Sequence, residues 1–120
     1  MRYLCLLISQ SDTVAPVPGT DEFTQMLDDY RSATAAMAEA GVLVDSGPLD
    51  IPATARTLRL RDGRPLVTSG PFAEIKEVIG GYYVLDCPDI AEALDWAATI
   101  PAARYGAIEV RPLMTLPGHD

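Results

Sequence analysis

Arg2-Tyr3-Leu4-Cys5-Leu6-Leu7-Ile8 carries a short continuous apolar run over residues 3–8. A membrane span needs about 20 apolar residues, so this run is too short to cross a bilayer. No signal-type cleavage region follows it. Its length suits a strand. Side chains alternate across a strand, which puts Leu4, Leu6 and Ile8 on one face and Tyr3, Cys5 and Leu7 on the other. Both faces are apolar, and such a strand is buried on both sides. Two separate layers must cover it.

The first layer is helical. Residues 9–19 are polar and rich in Pro, Ser and Gly, and read as a loop. Thr20 then stands as an N-cap, with Asp21 and Glu22 at the positive end of the helix dipole. Phe23, Met26, Leu27, Tyr30, Ala33 and Met37 recur at helical spacing, and Gly41 is placed to end the helix. A second helix begins at Asp89, with Glu92 completing a capping box. Its apolar stripe is Ile90, Ala93, Leu94 and Ala97, and Pro101 closes it.

The strands lie between and after these helices. Val42-Leu43-Val44 is one, broken at Gly47-Pro48. Residues 54–61 alternate, with Leu58 and Leu60 on one face and Thr57, Arg59 and Arg61 on the other. Asp62-Gly63 is a turn signal, and Leu66-Val67-Thr68 is the returning arm of a hairpin. After a tight Ser69-Gly70-Pro71-Phe72 loop, residues 73–79 are expected to form a short helix carrying Glu74, Lys76 and Glu77, stopped by Gly80-Gly81. Tyr82-Tyr83-Val84-Leu85 is a strand, and residues 107–113 form the last one. In that last strand Ile108 and Val110 lie opposite Glu109 and Arg111. The tail from about Leu116 is expected to be loose.

The order is β-α-β, an inserted hairpin, then β-α-β, in one domain over residues 1–120. That is the split βαβ of an α+β, ferredoxin-like domain. Two helices cover only one face of its sheet. The second layer is then the same sheet of another copy, giving a homodimer that closes a dimeric α/β barrel.

Composition narrows the partners. The formal net charge is -8, from 17 acidic and 9 basic residues. That balance lacks the basic surface that neutralises phosphates, which argues against nucleic acid and against anionic membrane surfaces. Cys5 and Cys87 sit inside apolar runs and read as small core hydrophobes. They make neither a disulfide framework nor a zinc pair, and His119 is the sole histidine, so no metal site is expected. No P-loop or GxGxxG is present, and no cofactor is expected. With no targeting segment visible, the expected location is the cytoplasm.

The candidate site residues each have a plainer alternative. Ser69 and Gly70 begin a loop in which glycine lets the backbone approach a ligand, or a stiff turn with Phe72 as an anchor. Glu74, with Lys76 and Glu77, supplies a carboxylate able to bind or take a proton, or a solvated helical face. Arg59, Glu109 and Arg111 alternate away from Leu58, Leu60, Ile108 and Val110, which are expected under the helices. Those polar residues then line the barrel and hold an anion, or form an exposed lattice of opposite charges. Tyr82 and Tyr83 face opposite ways, and one of them, taken here as Tyr82, presents its hydroxyl to a ligand.

Thr68-Ser69-Gly70-Pro71-Phe72-Ala73-Glu74, continuing through Lys76-Glu77 to Gly80-Gly81-Tyr82-Tyr83, resembles the signature of the DGPF proteins of the YCII-related superfamily. Ser69 replaces the aspartate of the name motif. Ala40-Gly41-Val42-Leu43, residues 58–63, Pro88-Asp89 with residues 92–97, and Glu109-Val110-Arg111-Pro112 fit as well, so the resemblance spans nearly the whole chain. It implies the dimeric ferredoxin-like barrel but no known reaction. A His–Asp pair proposed for the narrower YCII branch has no counterpart near the first strand, because His119 is in the tail. The resemblance also implies an association with extracytoplasmic-function sigma factors, and so a protein partner in transcription regulation.

Two functions follow. One is a cofactor-free protein that binds or transforms a small organic, anionic molecule in a cleft of the barrel, with Glu74 or Glu109 as the proton-transfer candidates. The other is a non-catalytic accessory or regulatory protein. The residues leave open whether the chain is an enzyme.

Overall fold

The computed structural model describes residues 1–10, 16–72 and 77–118. Strand β1 (Arg2–Gln10) leads to helix α1 (Asp21–Glu39) and strand β2 (Leu43–Pro48). A short 3-10 turn (Pro52–Thr54) precedes the hairpin β3 (Arg56–Arg61) and β4 (Arg64–Ser69). Strand β5 (Glu77–Asp86), helix α2 (Ile90–Ala97), the short helix α3 (Ala102–Tyr105) and strand β6 (Ala107–Pro112) complete the order.

The helix ends form where their capping chemistry sits. The Thr20 hydroxyl accepts from the Phe23 amide at 3.2 Å, and Gly41 takes a positive φ of 77° just past α1. The Asp89 carboxylate accepts from the Glu92 amide at 2.9 Å. Pro101 does not close α2; that helix ends at Ala97, and Pro101 becomes the N-cap of α3. Proline suits such a start because no hydrogen bond is asked of its nitrogen.

Four strands make one antiparallel sheet in the order β2-β5-β1-β6. This is the ferredoxin-like arrangement, in an α+β domain. Cys5 pairs with Tyr83 and Val110, and Tyr3 with Leu85. The buried sheet residues Tyr3, Cys5, Leu7, Tyr83 and Leu85 therefore share one face. That face packs on Ala33 and Met37 of α1, Ala93 and Ala97 of α2, and Ile100. Full burial of a side chain such as Met37 contributes about 1.5–3 kcal/mol, so these few residues carry most of the core. The chain measures 48 × 43 × 18 Å, about two layers thick.

One close approach fixes the α3–β6 corner. A Cβ on Gly106 would collide with the carbonyl oxygen of Ile8, so only glycine fits there.

Two further expectations are corrected. First, the segment expected as a helix over residues 73–79 is strand from Glu77 on; residues 73–76 lie outside the described residues. Gly80 and Gly81 lie inside β5, beside a bulge opposite Leu7 and Ile8, and do not stop a helix. Pairing with β1 decides this segment over its local helical signals. Second, Leu58 and Leu60 do not pack under the helices. The hairpin is a separate two-stranded sheet, and these residues are 61% and 65% exposed. Asp62 and Gly63 make the expected turn of the inserted hairpin, with φ of 51° and 73°, and its two strands form a sheet of their own.

Candidate functional site

The sheet's other face holds the first part of the site. Register places Gly47, Tyr82, Leu6 and Glu109 in one row across it. Asp45, Val84, Leu4 and Arg111 form the next row. Leu4, Leu6, Ile8 and Val84 are half-buried, giving an apolar strip down the middle. Polar pairs border it. The Tyr82 hydroxyl donates to Asp45 at 3.0 Å on one side, and Arg111 stands 3.9 Å from Glu109 on the other. Gly47 makes room for the Tyr82 ring, which a Cβ there would touch at 3.4 Å.

The hairpin base supplies the second part. The Gly70 amide donates to the Ala55 carbonyl at 2.8 Å, and the Thr57 hydroxyl donates to the Gly70 carbonyl at 2.9 Å. Gly70 adopts a φ of 91°, a left-handed conformation that favours glycine. These bonds turn the chain so that Phe72 projects outward, 77% exposed. The Arg59 guanidinium lies 5.0 Å over its ring. Beside Phe72 opens a cavity of about 860 Å³, whose walls include Leu49, Ile51, Pro52, Phe72, Val78 and Ile79. Asp50 and Glu77 also line it. Ile79 pairs with Ile8, so this wall residue lies on the open face of the sheet.

The expected site residues thus divide into groups. Gly70 lies at the hairpin base, where Ser69 ends β4 paired with Arg56, and Arg59 reaches it only through its stacking on Phe72. Tyr82, Glu109 and Arg111 lie on the open sheet face. Glu74 lies outside the described residues, as do Lys76 and His119. Tyr82 is the tyrosine on the open face, and Tyr83 is the one under the helices. Glu109 is a solvated carboxylate with its side chain 50% exposed, near a cation.

Sequence reasoning missed the wall formed by residues 49–55. That segment has no strand or helix period, and its only signal is Leu49 and Ile51 beside Pro52 in a connection. The two thiols are buried, and burial pushes Cys5 up to about 11, with Cys87 adding a smaller effect. Among the described residues no group of three or more His, Cys, Asp or Glu is placed to hold a metal ion. No helix among them is long and apolar enough to cross a membrane.

The family model of the YCII-related domain matches residues 1–117. An uncharacterised protein of Rhizobium meliloti (strain 1021) is 34% identical over 110 residues, which covers 90% of this chain and 89% of that protein. A solved structure of 5-chloro-2-hydroxyhydroquinone dehydrochlorinase from Burkholderia phenoliruptrix AC1100, in complex with 2,5-dihydroxybenzoquinone, aligns over 100% of both chains with a TM-score of 0.48 and 15% identity.

Proposed function

The chain belongs to the YCII-related domain family, and from that premise we propose that it binds a small planar aromatic acid at the hairpin base, beside the open face of its sheet. The observation that carries this reading is the apolar cavity of about 860 Å³ ending on an exposed Phe72 ring beneath Arg59. An apolar ring displaces water from the walls and stacks on Phe72. Its carboxylate then meets the Arg59 guanidinium, the residue type best suited to hold that group with two hydrogen bonds. Asp50 and Glu77 are the charged residues of the lining and repel an anion, so the acid group is oriented out of the cavity toward Arg59 on the Phe72 ring.

We further propose that a second copy of the chain covers the open face. Leu4, Leu6, Ile8 and Val84 offer it an apolar strip, and the hairpin adds the exposed Leu58, Leu60 and Val67. Apolar surface of this kind favours association. A regulatory protein partner has no feature in its favour that a second copy does not also explain. The reading is of a binding protein, since Glu109, the proton-transfer candidate among the described residues, is solvated and not set in a dry cleft.

Calorimetric titration with 1-naphthoate tests the ligand class. Arg59→Gln is expected to weaken binding about tenfold, the equivalent of about 1.4 kcal/mol. Equal affinity in both proteins overturns the assignment.

A further inference from the structure

We propose that the ligand of the hairpin base is a dianion, an aromatic acid whose second acid group is held by Arg61 and Arg64 farther along the hairpin. The proposal rests on the aromatic-acid reading above and narrows the class of acid. Residues 56–69 concentrate positive charge in an acidic chain: they hold four of its nine basic residues and one of its 17 acidic ones.

Three of those four arginines share a face. Arg59 and Arg61 are two residues apart on β3, and Arg61 pairs with Arg64 across the hairpin, so the three project the same way. Leu58 and Val67 pair on the opposite face, with Leu60 beside them. A second copy that covers those apolar residues leaves the arginine row open. Thr57 and Arg59 are half-buried whereas Leu58 and Leu60 are exposed, so the arginine face is the one turned toward Phe72. The Arg61–Arg64 pair follows Arg59 by two residues, about 7 Å along the strand.

That pair is unfavourable by itself, because like charges directly opposite each other on two strands repel. Among the described residues neither arginine has a carboxylate at ion-pair distance, not even Asp62 in the turn between them. Arg61 gives one donor to the Leu60 carbonyl at 2.9 Å, and a guanidinium carries five. An anion placed between the two relieves the repulsion and meets both forks. The first acid group, turned out of the cavity onto Arg59, already points along this row. A short spacer brings the second to Arg61 and Arg64, while Asp50 and Glu77 keep both out of the cavity.

The test uses the full chain and two probes, N-(1-naphthoyl)glutamate and N-(1-naphthoyl)glutamine. They share the ring and one carboxylate, and differ in the second acid group, which is an amide in the glutamine conjugate. Calorimetry is expected to show the glutamate conjugate binding about tenfold more tightly. That advantage is expected to shrink in about 0.5 M salt, because Arg61 and Arg64 are exposed. Arg61→Gln with Arg64→Gln is expected to bring the two affinities together, and Arg61→Lys with Arg64→Lys to keep part of the preference. Retained binding of the glutamine conjugate reports that the hairpin of each variant is still folded. Equal affinity of the two conjugates for the unaltered protein, with 1-naphthoate still bound, overturns this proposal alone. A preference that survives the double Gln substitution overturns it as well. Failure of 1-naphthoate and both conjugates to bind overturns it together with the aromatic-acid reading.

Discussion

The phenol oxygen of Tyr82 lies 3.0 Å from a carboxylate oxygen of Asp45, which ties β5 to β2 across the open face of the sheet. The hydrogen bond first, and the nearby negative charge second, raise the Tyr82 phenol above its ordinary value of 10.0. The sign follows from the charges: tyrosinate beside carboxylate is disfavoured, and the hydrogen bond exists only while the phenol keeps its proton. Asp45→Asn is therefore expected to let one tyrosine ionise at lower pH. Ultraviolet titration of tyrosinate in the two proteins measures this, and superimposable curves would contradict it.

The buried Cys5 thiol makes a second pH-dependent contribution. Its ordinary value is 9.0, and burial raises it to about 11 in the folded chain. Below pH 9 the thiol is neutral in both states and the contribution is fully present. Above that the unfolded chain loses its proton first, so stability falls as pH rises through the folded value. At about 1.4 kcal/mol per pKa unit, the full loss is on the order of 3 kcal/mol. Urea unfolding at pH 8.5 and at pH 10.5 is expected to show a larger fall for the unaltered protein than for Cys5→Ala. An equal fall would place the thiol in contact with water.

Dimerisation through the open face and the hairpin gives a third expectation. Light scattering at micromolar concentration should return twice the chain mass of 12.9 kDa. A stable interface of this kind buries about 1,200 Å² or more in total. The double substitution Leu58→Glu with Leu60→Glu should yield monomers with an unchanged far-ultraviolet circular dichroism spectrum, because both residues are exposed in the single chain. A monomeric unaltered protein would remove the second copy from the account.

The helices and the sheet were legible because their signals are local. Thr20, Gly41 and Asp89 cap where capping chemistry predicts, and the two-faced run in β1 correctly demanded a helix layer on one side. The site was less legible because alternation yields two faces without saying which one meets the core. Tyr82 and Tyr83 alternate equally well, and only Thr34, 49 residues from Tyr83 in sequence, decides between them. Leu58 and Leu60 alternate like core residues but belong to a sheet that has no helix layer in its core pattern. The same separation sends Arg59 to Phe72 and leaves Arg111 with Glu109, two cations that alternation alone had grouped. Glu77 to Ile79 carry helical signals locally, and their pairing with β1 is a long-range fact.

Amide chemical-shift mapping with 1-naphthoate tests the central claim most directly, since it locates the ligand as well as detecting it. Binding at the hairpin base should move the amides of residues 49–51, 53–55, 70, 72 and 77–79 most, and Phe72→Ala should diminish those shifts. Shifts centred on α1 and Ser46, or no saturable shifts at all, would contradict the assignment of this cleft as the aromatic-acid site.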